Sequence, residues 1–138
     1  MAAGIREFLE RGIKVGLGTD SGGGFSSSML DAMRHALIAS NAREVQTGGA
    51  SRCLRPSEAF HLATLGGARV CGLGARVGSL EPGKDFDALV IDAAPPGGGV
   101  MTPVDDTDDT ACIFEKFLMT GDDRNIEQVY VRGRRVKG

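Results

Sequence analysis

An α/β fold is what this sequence predicts, on three observations. A helical pattern, a glycine and a short apolar run follow one another over residues 4–17, which is half of an α/β repeat. A carboxylate, Asp20, closes that run just before a glycine- and serine-rich turn into a second helical pattern. Near the C-terminus, Val129 and Val131 alternate with Tyr130 and Arg132, as in a half-buried strand, and Arg132-Gly133 turns the chain into residues 134–137.

The elements follow in order. In residues 4–11, Ile5, Phe8 and Leu9 share one helical face, Arg6, Glu7 and Glu10 lie outside it, and Gly12 ends the helix. The run IKVGL at 13–17, interrupted by Gly16, reads as a buried strand. Thr19-Asp20-Ser21, three glycines and Phe25 then lead to Ser26, Ser27 and Ser28, any of which can cap a helix over 28–45. Asp31 favours its first turn, Met29, Met33, Ala36, Leu37 and Ser40 mark its inner face, and Arg34 and Arg43 lie off that face. After a loop at 46–53, Pro56 at the first helical position and Glu58 at the third open a helix to Thr64. Arg55 holds its N-cap, where Ser, Thr or Asp would serve better. Gly66-Gly67 predicts a break, and a shorter helix ends at Gly72. Pro82-Gly83 stand at the centre of a type II turn before a strand at 89–91. Residues 93–111, with Pro95-Pro96-Gly97-Gly98 and the acid run 105–109, predict a mobile surface loop. A short helix at 113–119, a turn at 121–125, a strand at 126–131 with Val129 and Val131 inward, and a hairpin partner at 134–137 complete the chain. The terminal basic residues suit the wet face of that hairpin.

Composition excludes several classes of function. The chain has 138 residues, of which 21 are glycine, about twice average usage, so turns are numerous. A formal charge of −2 offers no electrostatic footprint for nucleic acid or an anionic membrane. Its 3 cysteines, Cys53, Cys71 and Cys112, are odd in number and far apart, which points to a reducing, cytoplasmic setting rather than a disulfide framework. The N-terminal stretch is amphipathic and charged by its sixth residue, unlike a signal peptide, and no apolar run approaches a membrane span.

Few residues are candidates for chemistry. Asp20 has three readings: a turn former bonding nearby amides, part of a phosphate cradle, or a metal ligand at a strand end. The cradle is disfavoured because Ser21 stands where G-x-G-x-x-G wants its last glycine. His35 and His61 each stand alone on a helix without an H-x-x-x-H pair, so both read as structural. Lys84 and Asp85 read as exposed charges of a turn, and the acid run lacks the spaced ligands and closing Glu of a calcium loop.

The stretch VGLGTDSGGGFSSSMLDAMR resembles the last barrel strand and following helix of the amidohydrolase superfamily, and of its guanine deaminases in particular. ATLGGA at 63–68, GSLEPGKDFDA at 78–88 and GDDRNIEQVYV at 121–131 are similar to later parts of the same proteins. The resemblance covers nearly the whole chain outside 93–111. It implies the C-terminal fragment of a (β/α)8 barrel, comprising the last strand and helices, over residues 1–75. It further implies strands of a small composite β-sandwich over 76–138. A whole barrel takes about 250 residues, so 138 cannot hold one. The implied reaction is hydrolysis of guanine to xanthine and ammonia in a homodimer. Zinc lowers the pKa of a bound water there, and the carboxylate matching Asp20 touches the metal and takes the water's proton. The superfamily's histidine ligands find no match in His35 or His61, so the isolated chain is expected to bind no zinc and to be inactive. Two alternatives stand beside this expectation: a non-catalytic chain that binds another protein, and an amidohydrolase acting on a different aromatic amine.

Overall fold

The computed structural model describes residues 3–94 and 104–138, which form two compact units, Met1–Ser79 and Leu80–Gly138. The first is helical. Helix α1 spans Ile5–Glu10, α2 Met29–Gln46, and α3 Pro56–His61, which runs through a π-helical turn at Leu62–Gly66 into α4 at Gly67–Val70. The second unit holds β1 at Ala88–Ile91, α5 at Thr110–Thr120, a 3-10 turn at Asp123–Asn125, β2 at Ile126–Val131 and β3 at Arg134–Lys137.

Local chemistry explains most boundaries. Ser28 caps α2 by accepting from the Asp31 amide, and Gly12 follows α1 with φ 69°, a conformation glycine adopts without cost. Met33, Ala36 and Leu37 of α2 are buried with Leu54, Ala59 and Leu62. Ser40 ties the layers together: its hydroxyl donates to Leu37 O at 2.9 Å and accepts from Leu54 N at 3.1 Å.

Residues 13–17 do not form the buried strand their composition predicts. Ile13 is 49% exposed, and the segment belongs to no ladder. Burial still alternates, with Val15, Leu17 and Thr19 half-covered and Lys14, Gly16 and Gly18 exposed. A strand needs an extended neighbour to share its hydrogen bonds. Among the described residues this segment has a helix instead: Leu17 N donates to Leu62 O at 3.0 Å. The Gly66-Gly67 break is also absent. Both glycines are right-handed helical, with φ −59° and −60°. Close approach calls for glycine at Gly66, where a Cβ would lie 3.0 Å from Val15 O and from His61 O, and at Gly16, where one would lie 2.8 Å from Gly67 Cα.

In the second unit the sheet order is β1-β2-β3, antiparallel throughout, with Ala88 opposite Tyr130 and Val131 opposite Arg134. Arg132 and Gly133 turn the hairpin with φ 50° and 76°, the positive pair that a two-residue hairpin loop needs. The Pro82-Gly83 turn forms as its sequence predicts, with Lys84 N bonded to Glu81 O at 3.1 Å and Gly83 at φ 89°. Lys84 is not an exposed charge, however. Its side chain keeps only 12% of its accessibility and pairs with Glu81 at 3.2 Å. Val131 is exposed rather than inward, and Tyr130, half-buried, meets the Phe86 ring edge-on at 5.5 Å. Helix α5 begins at Thr110, not at 113, because Asp109 caps it by accepting from Cys112 N at 2.8 Å. Much of the expected loop 93–111 lies outside the described residues. The acid run at its end is engaged: Asp108 accepts from Asp105 N and from Lys116 Nζ, each at 2.6 Å. Fully buried Asn125 fixes the entry to β2 by donating to Asp92 O at 2.8 Å and accepting from Asp122 N at 3.0 Å.

Candidate active site

Asp20 lies in the turn between segment 13–19 and α2, and its backbone carries the first sign of a special position. Its φ is 51°, in the left-handed region that few non-glycine residues occupy. Asp is among the residues that tolerate it. Two amides close the turn on the Asp20 carbonyl, Gly23 N at 2.9 Å and Gly24 N at 2.5 Å, and Ser21 bridges Gly24. The side chain stands against Gly23, with Oδ2 2.9 Å from where a Gly23 Cβ would be. Asp20 is exposed, and its backbone is held by this tight turn.

The far side of the turn is anchored to α2. Ser26 Oγ donates to Asp31 Oδ2 at 2.7 Å and accepts from Ser28 N at 3.1 Å, and Arg34 reaches the other Asp31 oxygen at 3.1 Å. The Asp31 carboxyl titrates below its ordinary range, first because of the Ser26 hydroxyl and then because of Arg34. Phe25, 88% exposed, stands beside this anchor with its ring edge-on to His35 at 5.1 Å. That contact accounts for His35 as a surface histidine. His61 instead lines a depression of about 210 Å³ with Leu9, Ser57, Glu58 and Leu62.

Asp20 is thus the one sequence candidate, and neither His35 nor His61, both read from sequence as structural, joins it in a ligand group. Among the described residues no group of three or more His, Cys, Asp or Glu side chains could hold a metal ion. A catalytic zinc takes about three protein ligands. One carboxylate from this chain does not by itself fit that ion.

The amidohydrolase family model matches residues 1–136. The chain belongs to the amidohydrolase family. Guanine deaminase from Rattus norvegicus is 42% identical to this amidohydrolase over 134 residues, covering 96% of the chain and 29% of the rat protein. A probable guanine deaminase from Schizosaccharomyces pombe is 40% identical over 136 residues, covering 99% and 26%. The chain thus spans less than a third of the length of these relatives. A crystal structure of guanine deaminase from C. acetobutylicum, with guanine bound in its active site, superposes with a TM-score of 0.78 at 34% identity, over 95% of this chain and 29% of that one. A zinc-bound adenosine deaminase from Xanthomonas campestris shares the fold at TM-score 0.74 and 21% identity. No helix among the described residues is long and apolar enough to cross a membrane.

Proposed function

We propose that residues 1–138 are the C-terminal portion of a zinc-dependent guanine deaminase, and that Asp20 is its proton-accepting carboxylate. The observation that carries this reading is the 42% identity to guanine deaminases along 96% of the chain. In this reading residues 1–75 complete the barrel's last strand and helices, and 76–138 contribute strands to the small β-sandwich. Segment 13–17 becomes a ladder strand only when neighbouring barrel strands supply its hydrogen-bond partners. The complete enzyme would be a cytoplasmic homodimer, with the remaining zinc ligands and the guanine-contacting residues outside this sequence.

The chemistry assigned to Asp20 is limited and specific. Water adds to the purine carbon that bears the amino group, and Asp20 takes the proton the water gives up. The same proton returned to the amino nitrogen lets ammonia leave, so xanthine forms with atoms and charge in balance. An exposed carboxylate held by a closed turn suits repeated proton transfer, since it needs no rearrangement between steps. The test is Asp20→Asn in the complete enzyme. We expect kcat to fall about 10²–10⁴-fold, the usual loss when a general base is removed. Turnover near the wild-type rate removes Asp20 from the mechanism. Deamination of another aromatic amine in preference to guanine replaces the substrate but leaves the role of Asp20.

A further inference from the structure

We infer that Gly23 is a positioning residue for Asp20: the missing side chain makes the space in which the carboxylate lies. The inference rests on the reading of Asp20 as the reacting carboxylate. A Cβ on Gly23 would stand 2.9 Å from Asp20 Oδ2 and 3.4 Å from both Cγ and Oδ1. Contacts under about 3.0 Å are not found for real Cβ atoms, so something must move. All three atoms belong to the Asp20 side chain and none to the backbone.

The neighbouring glycines are there for other reasons. Gly22 has φ 106°, which calls for glycine on conformational grounds. A Cβ on Gly24 would meet backbone, 2.5 Å from Thr19 O and 3.1 Å from Asp20 O. Gly23 alone is constrained by the carboxylate, and its own φ is not in the positive region. The turn is braced on one side by the two amides on Asp20 O and on the other by Ser26 on Asp31. A methyl group at position 23 is therefore accommodated by swinging the carboxylate, not by opening the turn.

The experiment places Gly23→Ala in the complete enzyme. Displacing a reacting group by about 1 Å can cost on the order of 10²-fold, so kcat should fall by about that factor while KM and the thermal midpoint stay near wild type. A crystal structure of the variant should show the Asp20 carboxylate displaced over an unmoved turn backbone. Unchanged kcat, or a carboxylate that keeps its place while the turn opens, overturns the inference. Should Gly23→Ala fail to fold, Asp20→Gly combined with Gly23→Ala decides. Folding of the double variant locates the clash on the carboxylate, and failure of both locates it elsewhere and overturns the inference. Loss of the proposed role of Asp20 would appear separately, as activity retained by Asp20→Asn, and the crystallographic outcome for Gly23→Ala would still test the inference about position 23.

Discussion

Arg6 makes four hydrogen bonds from one exposed-looking position. Its guanidinium pairs bidentately with Glu58, at 2.9 and 2.8 Å, and also reaches the carbonyls of Arg52 at 3.1 Å and Cys53 at 2.9 Å. Glu58 in turn accepts from the Arg55 amide at 2.8 Å, which is the capping role its sequence position predicts. Arg6, first, and then that amide hold the Glu58 carboxyl down at about 2, against an ordinary 4.5. A carboxyl depressed on folding stabilises the fold above its unfolded pKa and loses that contribution as pH falls through the folded value. Stability should therefore drop between about pH 5 and pH 2 by on the order of 1–2 kcal/mol through this pair, after allowance for partial exposure. Urea unfolding of wild type and Glu58→Gln across that range checks it. Equal pH slopes for the two proteins would exclude the pair as the source. None of this pairing was legible in the sequence. Arg6 and Glu7 read only as the outer face of α1, and Arg43 only as a residue off the inner face of α2. Their partners stand 52 residues away for Arg6 and 36 for Glu7, which meets Arg43. Periodicity tells which side chains point away from one helix, and says nothing about what arrives there.

At the scale of elements, the α3–α4 helix shows where sequence signals mislead. Paired glycines predict a break, yet the backbone passes through them with a π-helical turn. The signal was real but its cause was different, since a close-packed segment asks for glycine as strongly as a bend does. The contact is directional, which yields a test. Gly16→Ala puts a methyl 2.8 Å from Gly67 Cα, a backbone atom that cannot rotate away. It should cost about 1–3 kcal/mol, as overpacking does. Gly67→Ala meets nothing nearer than Leu62 O at 3.4 Å and gains helix propensity, so it should be nearly neutral or stabilising. Chemical-denaturation midpoints compare the two, and equal losses would contradict the geometry. Capped helices and the tight hairpin were by contrast legible from sequence. Ser28, Asp31 and the Arg132-Gly133 pair act through neighbours in the chain, where spacing is itself the geometry. The acid run shows the intermediate case. Its last member caps α5, so the helix begins inside the stretch whose composition suggests a loop.

For the molecule as a whole, apolar surface decides behaviour. Val45 is 82% exposed, Leu80 69% and Ile38 62%, in a chain with few fully buried large side chains among the described residues. Segment 13–17 adds backbone groups outside any ladder, and exposed edges of this kind invite pairing with other chains. The isolated chain should therefore associate with itself, or with the remainder of a full-length amidohydrolase when both are present. Sedimentation at several concentrations reads this directly, and a monomer that persists at the highest concentration counts against it. Family membership was visible from the motif at 15–34 alone, because its residues are contiguous. The candidate site was visible only as far as Asp20. The turn that shapes it depends on which atoms each glycine faces, and a run of identical letters cannot carry that difference.

The sheet order β1-β2-β3 has one more implication, for how the chain tolerates change in length. Strands β1 and β2 lie side by side, yet residues 92–125 separate them, whereas β2 and β3 are joined by two residues. The hairpin admits no insertion without losing its register, because its turn residues set the pairing. The long connection is different. The closure entropy of a long loop grows slowly with length, by about 0.6 kcal/mol per doubling, comparable to one weak hydrogen bond. Asn125 holds the register of the returning strand against Asp92 whatever lies between. Length variation among proteins built this way should thus gather before α5 and spare the last dozen residues of the sheet.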